Sequence, residues 1–276
     1  MPELPEVETV VRGLREPLTG RTIQGAVFPK ATGRMTNIDA ALLAARIAGQ
    51  TVQSVTRRAK YIVATLDHDT LLIHLKMTGR LYIVPADAQH DADRYLRVSF
   101  PLSDGNELRF SDARRFGRVY LYEQPDEVLS KLGPEPLEDA FTLKQFSGLL
   151  AGRKAILKSL LLDQTFVAGI GNIYADEALH IAHLHPLRSA DTLSKADIKR
   201  LHSAIREALN DGIRYQGASI QWYRQVDGSK GESQNHLRVY HDPRSEKDKR
   251  CPTCNTPIVT IRVGQRGTHF CPTCQK

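Results

Sequence analysis

The chain has 276 residues, with 38 lysines and arginines against 31 acids, a formal net charge of +7 and an isoelectric point near 9.3. That length excludes a single small domain and leaves room for two, each with its own core. No run of about 18 apolar residues and no charged-then-apolar leader is present, so a cytoplasmic protein is expected, and the spread of basic charge suits a polyanionic partner without demanding one.

The chain opens Met1-Pro2-Glu3-Leu4-Pro5-Glu6-Val7-Glu8-Thr9. Loss of Met1 would expose Pro2 as a secondary amine with a reference pKa near 8, about two units below lysine, so that part of it is neutral and nucleophilic at pH 7. Such an amine attacks electrophilic carbon through an iminium, with Glu3 placed to move protons. Met-Pro alone is a common start. Pro5 suits an early helical position, however, and Val7, Val10, Val11 and Leu14 fall at helical spacing, which predicts a helix that holds Pro2 and Glu3 in place.

Short β-branched and aromatic runs follow at 22–28, 51–55, 61–66, 71–74, 81–84, 95–100, 107–110 and 119–122, interrupted by an Ala-rich helix over 39–48 that Gly49 closes. A two-sheet sandwich flanked by helices is the expected architecture. Arg57-Arg58-Ala59-Lys60 sets cations ahead of an apolar strand, a run that is often only a solvated edge. His74-Leu75-Lys76-Met77-Thr78-Gly79 and Ser111-Asp112-Ala113-Arg114-Arg115-Phe116-Gly117 are strand-to-turn transitions, where residue type alone would assign Met77 and Phe116 to core packing.

Leu132-Gly133-Pro134-Glu135-Pro136-Leu137 reads as a boundary, and beyond it the periodicity is helical. Thr142 caps one predicted helix, 155–162 forms a second, and Ser194 with Asp197 forms a capping box ahead of Ile198, Leu201, Ile205 and Leu209. Between them Gly169-Ile170-Gly171-Asn172 opens another helix, whose first amides and Asn172 suit a phosphate, although spacing alone also fits a plain turn. From 217 to 250 the pattern fades into an expected mobile loop and linker. Cys251-Pro-Thr-Cys254 and Cys271-Pro-Thr-Cys274 then form two knuckles of one structural four-thiolate zinc site, stapling a β-hairpin with Arg266 at its turn. By residue type Arg266 is as readily a solvated side chain as a phosphate ligand.

Taken together, the opening Pro2-Glu3-Leu4-Pro5-Glu6, the segment Leu160-Leu161-Leu162-Asp163-Gln164 with Gly169–Glu177, and the zinc hairpin resemble the bacterial formamidopyrimidine-DNA glycosylases over almost the whole chain. The resemblance implies an α+β, two-domain fold: an N-terminal β-sandwich flanked by helices at 2–131, a hinge at 132–141, a helix-two-turn-helix domain with a base-capping loop at 142–240, and a zinc finger at 241–276. It implies a monomer, associated with the bacterial nucleoid through DNA binding, that removes 8-oxoguanine and formamidopyrimidines from damaged double-stranded DNA and then cleaves the strand by β,δ-elimination. Pro2 would be the nucleophile and Glu3 the proton shuttle, with Lys60 and Arg266 as catalytic-site cations on phosphates. His74 and Asn172 would meet the DNA, Met77, Arg114 and Phe116 would fill the void left by a flipped base, and Lys158 matches a lysine implicated in 8-oxoguanine processing. One structural Zn2+ on Cys251, Cys254, Cys271 and Cys274 is the implied cofactor.

Leu4, Arg114 and Phe116 argue against the related endonuclease VIII branch, which prefers oxidised pyrimidines. A further alternative is a non-catalytic, zinc-dependent protein that binds kinked or damaged DNA and has no use for Pro2 or Glu3. The chain departs from the family pattern at Ser229-Lys230-Gly231-Glu232 and at Tyr240-His241-Asp242-Pro243, in the region that caps the everted base.

Overall fold

The structure is a computed structural model that describes residues 1–242 and 249–276, so that Pro243 and the rest of 243–248 lie outside the described residues. Two compact units emerge, Met1–Ser130 with Gln221–Gly231, and Lys131–Ile220 with Glu232–Lys276. No helix among the described residues is long and apolar enough to cross a membrane.

In the first unit, helix α1 (Leu4–Leu18) starts where the sequence places it because Pro5 fits an early position and because Glu3 and Glu6 form a reciprocal capping box. Its stripe of Val7, Val10, Val11, Leu14 and Leu18 is fully buried. Helix α2 (Ala40–Ile47) is capped by the Asp39 carboxylate, which accepts from Ala41 N at 2.8 Å and Leu42 N at 3.3 Å. Strands β1 (Ser54–Arg58), β2 (Tyr61–Thr65), β3 (Thr70–His74) and β7 (Arg118–Tyr122) form an antiparallel sheet in the order β1-β2-β3-β7; β4 (Gly79–Pro85), β6 (Asn106–Asp112) and β5 (Leu96–Pro101) form a second, in the order β4-β6-β5. Val10, Leu14, Val55, Ile73, Leu81, Phe100, Phe110 and Val119 bring α1 and both sheets into one core.

Two details differ from expectation. Residues 22–28 make isolated bridges, Thr22 to Thr51, Ile23 to Leu102 and Val27 to Ser99, because Gly25 at φ +153° breaks the run between partners. The excursion Gln221–Gly231, expected to be part of a mobile loop, is anchored on α1: Tyr223 joins the core, and Val226 packs so close that a Cβ on Gly13 would sit 3.1 Å from its Cγ2.

The second unit is helical: after the short α3 (Asp126–Leu129) of the first unit come α4 (Leu143–Leu150), α5 (Leu157–Leu162), α6 (Asn172–Ile181) and α7 (Lys195–Arg214), then the hairpin β8 (Val259–Val263) and β9 (Arg266–Phe270). The expected caps form, Thr142 Oγ1 accepting from Gln145 N at 3.1 Å and Ser194 with Asp197 closing a capping box. The segment read as a hinge is fastened into this unit. Phe141 is buried against Phe146 and His202, and the Arg206 guanidinium donates to the carbonyls of Pro136 at 2.9 Å and Glu138 at 3.0 Å.

Helices α6 and α7 cross at Gly212, where a Cβ would lie 2.5 Å from Tyr174 Cε1; Gly148 in α4 has nothing within 4 Å. Alanine should therefore act oppositely at the two sites. Gly148→Ala should raise stability by about 0.5–1 kcal/mol through lower chain entropy. Gly212→Ala should lower it by about 1–3 kcal/mol, since overpacking outweighs that gain. Urea unfolding of both variants checks the signs.

Candidate functional site

Strand register decides which side chains of the first unit meet. Arg58 pairs with Tyr61, Tyr61 with His74, and His74 with Arg118, so these four residues form one row at one end of the four-stranded sheet. Helix α1 runs antiparallel to β1. Arg57 Nε reaches Glu8 at 3.1 Å near the helix start, and Arg15 Nε reaches the Val55 carbonyl at 3.3 Å near its end. The start of α1, with Pro2 and Glu3, therefore lies at the same end of the sheet as that row.

There the chain is closely held. Pro2 and Glu3 are buried, and Glu3 N donates to Glu6 Oε2 at 2.8 Å. Lys60, only 5 % exposed, follows Ala59 in the tight turn joining β1 to β2, where Ala59 takes a left-handed φ of 53°. The Arg57 guanidinium donates to the Ala59 carbonyl at 3.1 Å and so ties that turn to α1 through Glu8.

His74 ends β3 with its ring edge-on to Tyr61 at 4.8 Å. Its Nδ1 accepts from Lys76 N at 3.0 Å, which leaves the ring proton on Nε2. Burial, reinforced by Lys76, Lys60 and Arg118, pushes its pKa well below the usual imidazole range, so His74 is a neutral donor among cations at pH 7. That combination suits a phosphate oxygen.

The two tips that cross from one sheet to the other depart from this same end. Asp112, 3 % exposed, organises both. It accepts from Thr78 Oγ1, from Arg114 N at 3.2 Å and from Gly117 N at 2.7 Å, while Arg114 N also donates to Thr78 Oγ1 at 3.0 Å. Phe110 fills the space beneath: a Cβ on Gly117 would lie 2.4 Å from its ring, and one on Gly79 would lie 2.4 Å from the Leu75 carbonyl and 2.9 Å from the same ring. Phe116 is left 46 % exposed with the Arg114 guanidinium 4.9 Å from its ring centre, and Met77 is half-buried. Asp112, Glu6 and Tyr223 were not singled out from sequence. The signal for Asp112 was present, as an acid closing an apolar strand ahead of a glycine-bounded basic turn.

In the second unit α6 begins at Asn172, whose Nδ2 donates to the Gly267 carbonyl at 2.9 Å. Arg266, expected in the hairpin turn, is the first residue of β9. The turn is Gly264-Gln265 alone, both at positive φ, 52° and 63°, as a two-residue hairpin loop with right-handed strand twist requires. Arg266 is exposed beside Gly267. Lys158 is 0 % exposed, with Nζ donating to Asp176 Oδ1 at 2.6 Å and to the Asn172 carbonyl at 2.9 Å, so its charge is paired inside the unit.

The sulfurs of Cys251, Cys254, Cys271 and Cys274 lie within 4.8 Å of one another, with Cys251 to Cys274 at 3.8 Å and Cys254 to Cys271 at 3.4 Å. Zinc–sulfur bonds of about 2.3 Å in a tetrahedron give edges of roughly 3.8 Å, so the cluster fits one zinc ion with no open position, a structural site. His180 Nε2 sits 3.3 Å from Cys251 Sγ, an outer hydrogen bond that orients the thiolate.

Burial of neutral His74 makes stability depend on pH. Its folded pKa lies below the unfolded value, so the unfolded chain binds more protons below about pH 6.5. The contribution of neutral His74 is complete above that pH and is lost as pH falls. The stability difference between the protein and its His74→Gln variant should narrow from pH 7 to pH 5 in melting curves; a constant difference would refute buried neutral His74.

The family model for the formamidopyrimidine-DNA glycosylase N-terminal domain matches residues 1–119, that for the H2TH domain of the same enzymes residues 132–224, and that for the zinc finger found in FPG and IleRS residues 248–276. Over 281 residues, and 100% of both chains, this one is 44% identical to the formamidopyrimidine-DNA glycosylase of Herpetosiphon aurantiacus. Among solved structures it resembles a Lactococcus lactis FPG variant in complex with Fapy-dG containing DNA, at TM-score 0.90 and 35% identity with 100% of both chains covered. It also resembles the Lactococcus lactis Fpg bound to DNA with an abasic site, at TM-score 0.88 and 34% identity with 99% of each covered. The family models cover the first unit's sandwich, the helical unit and the four-cysteine hairpin in turn, and this chain belongs to the formamidopyrimidine-DNA glycosylase family.

Proposed function

We propose that the protein is a base-excision repair glycosylase for oxidised purines in duplex DNA, 8-oxoguanine and formamidopyrimidines, that also cleaves the strand at the abasic site. The observation that carries this reading is the convergence, at one end of one sheet, of Pro2 and Glu3, the cations around His74, and the tips bearing Met77, Arg114 and Phe116.

Removal of Met1 frees the Pro2 amine. The positive end of α1 disfavours its protonation, and the amine attacks C1′ of a flipped nucleotide. The N–C1′ bond forms as the glycosidic bond breaks and the base leaves with a proton. Glu3 donates to O4′ as the sugar ring opens to an iminium, which acidifies the C2′ hydrogens; loss of one expels the 3′ phosphate, loss of the C4′ proton from the conjugated iminium so formed expels the 5′ phosphate, and water releases Pro2. Lys60, Lys76, Arg118 and the Nε2–H of His74 serve the backbone phosphates in the first unit. Asn172, the start of α6 and Arg266 do so in the second. The wedge occupies the vacated stack.

Two experiments test this reading. Borohydride reduction with 8-oxoguanine duplex should crosslink the protein through Pro2 in a preparation lacking Met1, as peptide mapping would show. Absence of any adduct would favour a non-catalytic damage-binding protein, and an adduct on Lys60 would remove only the role of Pro2. Replacing Met77, Arg114 and Phe116 together with alanine should slow 8-oxoguanine excision by about 10²-fold or more in single turnovers, since unstacking costs a few kcal/mol, while cleavage at a preformed abasic site changes far less. Equal losses on both substrates would assign these residues to general affinity.

A further inference from the structure

The second unit holds a buried carboxylate that the proposed chemistry does not use. Asp176, in α6, is 1 % exposed and has both oxygens engaged. Oδ1 accepts from Lys158 Nζ at 2.6 Å; Oδ2 accepts from the backbone N–H of His269 at 2.9 Å and from His269 Nδ1 at 3.0 Å. Lys158 Nζ also donates to the Asn172 carbonyl at 2.9 Å, and Asn172 Nδ2 donates to the Gly267 carbonyl at 2.9 Å. One carboxylate thus fastens α5, the first turn of α6 and strand β9. The side chains of Asn172 and Arg266 stand at the rim of that joint, Arg266 one residue before Gly267.

A buried ion pair adds little net stability compared with apolar packing of the same volume. Its directional bonds do fix one strand against one helix, which apolar contact alone would let slide. We propose that Asp176 is a positioning residue that holds Arg266 of the zinc hairpin in register with Asn172, so that both engage one stretch of DNA backbone. The inference rests on the phosphate-binding reading of Arg266 and Asn172.

A thermodynamic cycle on the full-length, zinc-loaded protein tests it, using fluorescence anisotropy with a duplex bearing a tetrahydrofuran abasic analogue over a series of salt concentrations. Each phosphate contact adds about 0.9 to the slope of log affinity against log salt. Arg266→Ala should lower that slope by about one and weaken binding about tenfold. Asp176→Asn should do nearly the same, and the double variant should bind within about twofold of Arg266→Ala alone, because a guanidinium already out of place has little left to lose. Zinc content is measured for every variant. Should Asp176→Asn lose zinc, the neutral pair Lys158→Gln with Asp176→Asn is taken through the same cycle. Additive losses, about a hundredfold in the double variant, or an unchanged slope with Asp176→Asn, would overturn the proposal and leave Asp176 a fold-stabilising residue. No effect of Arg266→Ala itself would instead overturn the phosphate reading on which the proposal stands.

Discussion

The nucleophile we propose, Pro2, needs a rigid mount, where chain ends ordinarily fray. Here the mount is the reciprocal capping box of Glu3 and Glu6, with Glu3 N to Glu6 Oε2 at 2.8 Å and Val7 N to the Glu3 carbonyl at 3.1 Å. A good cap contributes about 1 kcal/mol, too little to order a terminus alone. The apolar stripe of α1, buried from Val7 to Leu18, supplies the rest, and Arg57 bridges from β1 to Glu8. Helix direction follows from these contacts, and with it the placement of Pro2 beside the basic end of the sheet.

The second unit solves a different problem. A two-stranded hairpin has almost no core, and this one is ordered by polar fastenings around the zinc site. Glu177, fully buried, accepts from the backbone amides of Arg238 at 2.7 Å, Val239 at 2.9 Å and Tyr240 at 2.8 Å. Burial raises its pKa while those amides pull it down, so its ionised form depends on the chain that wraps it. Gln275 bonds the Leu184 carbonyl and the Cys271 amide, and Asp176 grips β9. Glu177 and Gln275 bond backbone groups, Asp176 bonds both the amide and the ring of His269, and Gly264, Gln265 and Arg266 at the hairpin tip are exposed.

Local rules made the helix caps, the strands of the sandwich and the zinc knuckles legible in the sequence, because each depends on residues a few positions apart. Thr142 and Ser194 cap as their spacing implies. What resisted reading was long-range. Lys158 carries a charge that sequence assigns to a surface, and only the fold reveals Asp176 and the Asn172 carbonyl waiting inside. The excursion Gln221–Gly231 has the composition of a free loop, yet Tyr223 and Val226 find a matching surface on α1 at Gly13. Adjacent aromatics, Trp222 and Tyr223, in a polar run are the trace such anchoring leaves. Arg266 moved from turn to strand because Gln265 tolerates the left-handed backbone expected of glycine.

The tips bearing Met77 and Phe116 are poor solutions for a protein folding only for itself. Phe116, 46 % exposed, forgoes about half of the roughly 1.5–3 kcal/mol that full burial contributes, and Arg115 at φ 60° adds roughly 1 kcal/mol of backbone strain that a glycine would avoid. Against those costs stand Asp112, with its bonds to Thr78, Arg114 and Gly117, and the two glycines that let Phe110 seat both turns. Strain that is over-determined by its surroundings persists because something uses it. An aromatic held out of the core beside a guanidinium, on a turn with little freedom to relax, is what the wedge we propose requires. A vacated position in a base stack offers the flat apolar faces that such a side chain lacks in water, and that match is the physical ground for reading these tips as wedges.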